Sequence, residues 1–224
     1  MTESLLSCIE LETSARPDAT VIVLHGLGAD GNDFVPIIEE IEFPGTMSVR
    51  FLFPHAPVRN VTINAGQPMR AWYDIAQADL SNRADLSGVR TSQGQINALI
   101  RRETTRGIAA SRIVLAGFSQ GGAIALYAGL RYPERLAGIA ALSTYLISGE
   151  QLAAEGSAAN RDVPIFMAHG TEDPVVRPQW GEASRRMLEA GGYRVEWHTY
   201  AMAHSVVWEE VAALGGFLKG VLVR

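Results

Sequence analysis

Cysteine is nearly missing from this chain, and a long hydrophobic run is missing altogether. The single cysteine, Cys8, has no partner for an internal disulfide and no Cys/His ligand set beside it, which excludes a disulfide scaffold and a zinc knuckle. No apolar run approaches the roughly 18–20 residues of a membrane span. The N-terminus carries an acidic residue, Glu3, where a signal peptide is basic. We therefore expect a cytoplasmic protein without stable membrane association.

The chain also lacks an excess of positive charge. Its 19 lysines and arginines stand against 24 aspartates and glutamates, for a net charge of −5, and the two signs are mixed along the sequence. No basic face is thus expected for nucleic-acid phosphates or an anionic membrane, and we expect no nucleic-acid partner. The 224 residues, 47% of them hydrophobic, suit one domain over residues 1–224.

Apolar segments typical of strands alternate with segments of helical spacing. We predict strands at 20–25, 49–53, 113–116, 136–143 and 164–170, an edge strand at 194–200, and helices at 34–41, 89–107, 121–131, 178–190 and 206–218. Fully apolar strands that alternate with helices predict an α/β fold, with a mostly parallel central sheet covered by helices on both faces. The length leaves no room for a large lid.

One strand-to-helix turn, Gly117-Phe118-Ser119-Gln120-Gly121, has the G-x-S-x-G pattern of a nucleophile elbow. The two glycines leave room for a sharp turn, which exposes Ser119 above the edge of the sheet. The Gln120 N–H at the start of the helix can then stabilise an oxyanion on a carbonyl attacked by Ser119. The same short pattern also arises by chance, so an acid, a base and a second donor are needed.

The order of residues along the chain selects the acid and the base. Asp173 follows the apolar strand at 164–170, and Pro174 fixes the turn after it, which favours Asp173 over the rival Glu172. Of the five histidines, only His204 follows both Ser119 and Asp173 on a loop that leaves a strand. This gives the order Ser, Asp, His of the α/β-hydrolase fold.

The other four histidines have more ordinary interpretations. His25 and His169 end strands and are expected to orient loops through hydrogen bonds. His55 lies between two prolines far upstream of the acid, and His198 faces outward from the edge strand. None of these positions suits the catalytic base.

Two further segments are expected beside the reacting carbonyl. Leu27 follows the His25-Gly26 pair at the end of an early strand, so its backbone N–H is the natural second oxyanion donor. The long segment 55–87 leaves the strand–helix alternation and is expected to hold the acyl group. Its candidate substrate-binding residues are Ile63, Met69, Trp72 and Tyr73. The alternative for Trp72 and Tyr73 is simple packing against the body of the protein.

Taken together, these segments resemble the carboxylesterase and acyl-protein thioesterase family of compact α/β hydrolases, also called the phospholipase/carboxylesterase family. The resemblance runs through LHGLGADG at 24–31, PHAPVR at 54–59, MRAWYDI at 69–75, GFSQGG at 117–122, HGTED at 169–173 and HSV at 204–206. It implies a triad of Ser119, Asp173 and His204, with Leu27 and Gln120 as backbone donors. It also implies that Met69 to Tyr73 lie beside the substrate.

The expected function is hydrolysis of short- to medium-chain carboxylic esters through an acyl-enzyme, with no cofactor and no metal. An acyl-protein thioesterase or a lysophospholipase with the same triad is the alternative, since all three substrates present an acyl carbonyl. A ligand-binding protein without activity is a third interpretation, which the presence of all three triad residues disfavours. The expected partner is a small acyl ester, and a homodimer is compatible with the sequence.

Overall fold

The computed structural model describes residues 5–41, 43–44, 47–77 and 85–223. Within these residues the strands are β1 (Cys8–Glu12), β2 (Ala19–Leu24), β3 (Val49–Pro54), β4 (Val58–Val61), β5 (Gln67–Arg70), β6 (Ile113–Phe118), β7 (Gly138–Leu142), β8 (Ile165–Gly170) and β9 (Val195–Tyr200). Seven of them form one sheet in the order β1-β3-β2-β6-β7-β8-β9, and β4 pairs with β5 in a separate hairpin. All neighbouring strands of the large sheet are parallel except β1, which runs antiparallel to β3.

Helices cover both faces of this sheet. They are α1 (Val35–Glu39), α2 (Leu86–Thr105), α3 (Gln120–Arg131), α4 (Leu152–Glu155), α5 (Pro178–Ala190) and α6 (Trp208–Leu222). Buried residues of α2, α3 and α5 belong to one core cluster, and those of α1 and α6 belong to a second cluster on the opposite face. The predicted α/β-hydrolase architecture, with a mostly parallel sheet and no large lid, is therefore confirmed.

The alternation of side chains along each strand builds the two cores. In β2, Ile22 and Leu24 pack into the first cluster, while Val21 and Val23 pack into the second. Successive residues of a strand point to opposite faces, so a strand between two helical layers must be apolar at every position. This is why β2 is buried throughout and could be recognised in the sequence.

Two strand pairings of the fold were not predicted, and neither was the short helix α4. The first is β1, the short edge strand that pairs with β3. The second is a hairpin of β4 and β5 inside the segment 55–87. Both consist of short, partly exposed strands, which lack the continuous apolar run of a central strand. Residues 78–84 of the segment lie outside the described residues.

Three loops that carry predicted site residues begin at the carboxyl edge of the sheet. Strands β2, β6 and β8 all end at the carboxyl edge, and β6 lies next to β2. The loops that follow these strands carry Leu27, Ser119 and Asp173. In an open parallel sheet this edge is where loops from different strands converge on a ligand. Among the helices of the described residues, none is long and apolar enough to cross a bilayer.

An acidic side chain, that of Glu210, is buried in α6. Glu210 is fully buried, and neither carboxyl oxygen has a hydrogen-bond partner among the residues that the structure describes. Burial raises its pKa to about 8, an effect that the nearby Val207 N–H only partly opposes. Because the charged form is disfavoured in the folded state, Glu210 is held as a neutral acid over most of the physiological range.

We expect this acid to make folding stability depend on pH. The folded pKa lies above the ordinary value of 4.5, so its stabilising contribution is complete below about pH 4.5 and is lost as the pH rises towards 8. Glu210→Gln should remove this loss. Between pH 5 and pH 8 the Tm of the unaltered chain should fall further than the Tm of the variant, by roughly 4 °C or more. In a chain of this size, a change of 1 kcal/mol in the free energy of unfolding shifts Tm by about 2–4 °C.

Thermal unfolding followed by circular dichroism at several pH values measures this difference. Glu209→Gln is the matched control, because Glu209 is the exposed neighbour on the same helix turn. A pH profile for Glu210→Gln that runs parallel to that of the unaltered chain would contradict a neutral buried acid.

Candidate active site

Ser119 lies at the turn between β6 and α3 in a strained backbone conformation, with φ 53° and ψ −121°. A side chain on either flanking glycine would block this turn. A Cβ on Gly117 would lie 2.4 Å from the Gly121 carbonyl carbon, and one on Gly121 would lie 2.2 Å from the Leu24 carbonyl oxygen. The elbow therefore needs glycine at both positions, and strain at a non-glycine residue between them is typical of a functional site.

A continuous chain of hydrogen bonds joins three distant parts of the sequence. The Ser119 hydroxyl lies 2.9 Å from His204 Nε2, and His204 Nδ1 lies 2.7 Å from Asp173 Oδ2. Since a carboxylate can only accept, Nδ1 carries the proton and Nε2 accepts from the serine hydroxyl. This is the geometry in which an imidazole removes the hydroxyl proton as the oxygen attacks.

The Asp173 carboxylate is buried but well solvated by the backbone. Its Oδ1 accepts from the N–H groups of Val175 and Val176, at 2.8 and 2.9 Å, while Oδ2 faces His204. Both oxygens of this buried carboxylate therefore have hydrogen-bond partners. The rival Glu172 is exposed. The structure thus places Asp173, and not Glu172, next to the imidazole.

The expected oxyanion donors come from the loop after β2 and from the first residue of α3. Gln120 begins α3, where the first N–H groups of a helix have no acceptor within the helix. The Leu27 N–H makes no hydrogen bond to any described residue. Both residues line the cavity that contains Ser119. Two unsatisfied N–H groups beside a nucleophile suit an oxyanion.

The ring of His25 organises the loop that carries Leu27. Its Nε2 accepts from the Ala56 N–H at 3.0 Å, and its Nδ1 lies 2.7 Å from the Gly26 carbonyl oxygen. The Nδ1 atom must therefore carry the proton. Burial lowers the pKa of His25, an effect partly opposed by the Gly26 bond, so the ring stays neutral. His25 orients a loop, as its position at a strand end predicted.

The other histidines also have local partners. His169 Nε2 lies 2.8 Å from the Val176 carbonyl oxygen, and burial lowers its pKa. His55 Nδ1 accepts from the Gly31 N–H, and His198 bonds the Glu196 carboxylate beside it on the edge strand. None of these four rings contacts the Ser119 hydroxyl.

A cavity of about 660 Å³ opens over Ser119 and His204, and its size falls within the range of small-molecule sites. Most of its wall is apolar. The apolar lining includes Phe34, Ile37, Ile63, Ile75, Phe118, Tyr145, Val175 and Val206. Asp33, Asn64 and Ser205 add polar groups. An aliphatic chain fits such a wall, with its carbonyl at Ser119.

Of the four residues predicted to bind substrate, one lines the cavity and three do not. Ile63 lines the cavity, and 41% of its surface is exposed. Met69, Trp72 and Tyr73 are absent from the lining, and Trp72 and Tyr73 are completely buried. The prediction of direct substrate contact is therefore corrected for these two aromatic residues. Their rings point into the core beneath the site, which is the packing alternative that the sequence left open.

Several wall residues were not predicted from the sequence. Phe34 and Ile37 lie in the helix predicted at 34–41, whose apolar spacing does not indicate a cavity wall, and the sequence assigns no site role to Tyr145, Val175 or Val206. Tyr145 follows the carboxyl end of β7, the same edge as Ser119, and this position was the available signal. Among the described residues, no group of three His, Cys, Asp or Glu side chains could hold a metal ion.

Comparison with known proteins identifies the family. The model of the phospholipase/carboxylesterase family matches residues 8–222, which is nearly the whole chain. The chain belongs to this family. It is 43% identical over 213 residues to acyl-protein thioesterase 1 of Neurospora crassa, covering 91% of this chain and 87% of that protein. It is 37% identical to acyl-protein thioesterase 1 of Gibberella zeae, covering 98% and 97%.

Solved structures show the same fold. Arabidopsis thaliana SOBER1 has a TM-score of 0.86 and 29% identity, over 91% of this chain and 99% of that one. Acyl-protein thioesterase 2 of Zea mays has a TM-score of 0.83 and 27% identity, over 96% and 99%. The family resemblance predicted from the sequence motifs is confirmed. The chain is a hydrolase of the thioesterase and esterase group.

We expect Gly121→Ala to damage the site through the backbone. The added methyl would push β2 away from α3, and with it the Leu27 N–H from Ser119. A displacement of about 1 Å at a reacting group costs about a hundredfold in rate, so kcat/KM for an activated ester should fall at least that far. Gly216→Ala is the matched control, because its methyl would meet nothing within 4 Å. Equal activity in the two variants would contradict the close approach at Gly121.

Proposed function

We propose that this protein hydrolyses acyl thioesters through an acyl-enzyme on Ser119, with carboxylic esters as further substrates. The observation that carries the proposal is the hydrogen-bonded chain from Ser119 through His204 to Asp173, at the mouth of an apolar cavity. The names of its relatives favour the thioesterase, the alternative expected from the sequence, over a short- to medium-chain carboxylesterase. A lysophospholipase would use the same groups.

The geometry supports a two-step reaction. His204 Nε2 takes the proton as Ser119 Oγ attacks the acyl carbonyl, and the N–H groups of Leu27 and Gln120 hold the oxyanion. The proton then passes from His204 to the leaving thiolate or alkoxide. In the second step His204 activates a water that attacks the acyl-serine, which releases the carboxylic acid and restores the hydroxyl.

Asp173 acts through the imidazole in both steps. Its bond to Nδ1 fixes the tautomer that presents Nε2 to Ser119, and its charge stabilises the imidazolium as it forms. The two backbone donors on the other carboxylate oxygen keep Asp173 in place while this charge changes. No step requires a group from outside the chain except water.

Replacing the nucleophile tests the proposal directly. Ser119→Ala should lower hydrolysis of both an S-acyl peptide and a p-nitrophenyl ester by about a thousandfold or more, with unchanged circular dichroism. A fluorophosphonate should label the unaltered chain at Ser119 and leave the variant unlabelled. The same reagent excludes a protein that only binds ligands, since only an activated serine reacts. Turnover retained in Ser119→Ala would refute the mechanism.

The apolar cavity predicts a dependence on acyl length. A buried methylene contributes about 0.8 kcal/mol, so kcat/KM should rise by up to about fourfold per methylene until the cavity is filled. A series of acyl thioesters from acetyl upwards measures this slope. Ile63→Ser should reduce it, because Ile63 lines the cavity.

Val58→Ser is the matched control for the chain-length series. Val58 is an exposed apolar residue of the same hairpin, outside the cavity lining. The slope in this variant should equal that of the unaltered chain. A preference for acetyl over all longer chains would contradict acyl binding in this cavity.

A further inference from the structure

Two bonds attach the side chain of Gln120 to a segment outside the elbow. Gln120 Oε1 accepts from the Trp72 N–H at 2.8 Å, and Gln120 Nε2 donates to the Tyr73 carbonyl oxygen at 2.8 Å. The backbone of residues 72–73 thus uses both ends of one amide group. These bonds are buried, so water cannot replace them. They fix Gln120, whose own N–H is one of the two proposed oxyanion donors.

The same segment also reaches the loop of the other donor. The indole Nε1–H of Trp72 donates to the His25 carbonyl oxygen at 2.8 Å, two residues before Leu27. The next peptide unit of this loop is held by the His25 ring, through the Gly26 carbonyl oxygen. Trp72 is therefore bonded to both donor segments, through its backbone to Gln120 in the elbow and through its ring to the Leu27 loop.

The segment has its own anchor in the first core. Trp72 has no exposed surface, and its carbonyl oxygen accepts from the buried Ser92 hydroxyl on α2. Its ring packs against His25, with the centroids 5.3 Å apart. A side chain held on all sides can fix a neighbouring loop, because its own conformation is already decided by packing.

We propose that Trp72 is a positioning residue that sets the separation of the two oxyanion donors, with the Gln120 side chain as its link to the elbow. This inference rests on the proposed function, since it concerns the same site. An oxyanion hole is effective when both donors are oriented before the charge develops. Residues 72–73 supply that fixed geometry from beneath the site, without contact with the substrate.

Two substitutions test the proposal. Trp72→Phe removes the bond to the His25 carbonyl oxygen and keeps an aromatic ring, while Gln120→Met removes both side-chain bonds and keeps the backbone N–H. Loss of a whole oxyanion donor costs about 100- to 1000-fold in kcat. A misplaced donor should cost less, so we expect kcat to fall by about 10- to 100-fold in each variant, with KM within about twofold of the unaltered chain.

A purely structural effect would not produce this pattern. A trifluoromethyl ketone forms an oxyanion with Ser119, and its affinity should fall by the same factor as kcat/KM in both variants. An ether analogue of the substrate fills the cavity without a carbonyl, and its affinity should not change. The double variant should lose little more than the worse single variant, since each substitution releases one end of the same connection between the two donor segments.

Trp180→Phe is the matched control. Trp180 is half-buried against the same core cluster but lies outside the cavity lining, so its replacement should leave kcat unchanged. Values of kcat within twofold of the unaltered chain in both test variants would overturn the proposal. So would an equal loss of affinity for the ether analogue and the ketone, which would indicate a collapsed cavity.

The rate of fluorophosphonate labelling separates this inference from the proposed function. Labelling needs Ser119 and the oxyanion donors but no acyl substrate, and its second-order rate constant should fall with kcat/KM. If the unaltered chain is labelled but hydrolyses neither thioesters nor esters, the proposed function fails while the labelling rates still test Trp72. Unchanged labelling rates in both test variants would overturn the role of Trp72 alone.

Discussion

The close approach of α3 to the end of β2 is the contact on which the site depends. At Gly121 the helix backbone comes so near the carbonyl oxygens of Leu24 and His25 that no side chain fits between them. This contact places the loop of Leu27 directly beside the first turn of α3. Ser119 and both candidate oxyanion donors are thereby set by the packing of a strand against a helix, which is far stiffer than a loop.

Around this contact the protein controls which groups carry charge. Burial lowers the pKa of His25 and of His169, so neither adds a cation next to the reaction. Asp173 is equally buried, but the N–H groups of Val175 and Val176 solvate its carboxylate. Within the described part of the chain, Asp173 is the acid that contacts the His204 ring. This arrangement favours an imidazole that accepts a proton from Ser119 and is stabilised while it holds it.

Local patterns in the sequence predict much of the fold and of the site. The elbow at 117–121 is recognised from its glycines between a predicted strand and a predicted helix, and the order of Ser119, Asp173 and His204 along the chain supports it. The hairpin of β4 and β5 left no such pattern, because its short strands are partly exposed and need no apolar alternation. The position of the aromatic pair at 72–73 was left open for a related reason. A large apolar ring indicates burial, but the sequence does not show whether the substrate or the core of the protein will bury it.

The sequence by itself determined the fold class, the family and the candidate nucleophile, acid and base, because each depends on periodicity, on glycine at fixed offsets or on order along the chain. The tertiary structure alone decided which side chains line the cavity and which support it from below. That choice depends on the direction of each side chain after the 55–77 segment folds over the sheet, and contacts between residues almost fifty positions apart set that direction. The bonds from Trp72 to His25 and Gln120 are the clearest case, since no local pattern relates these positions.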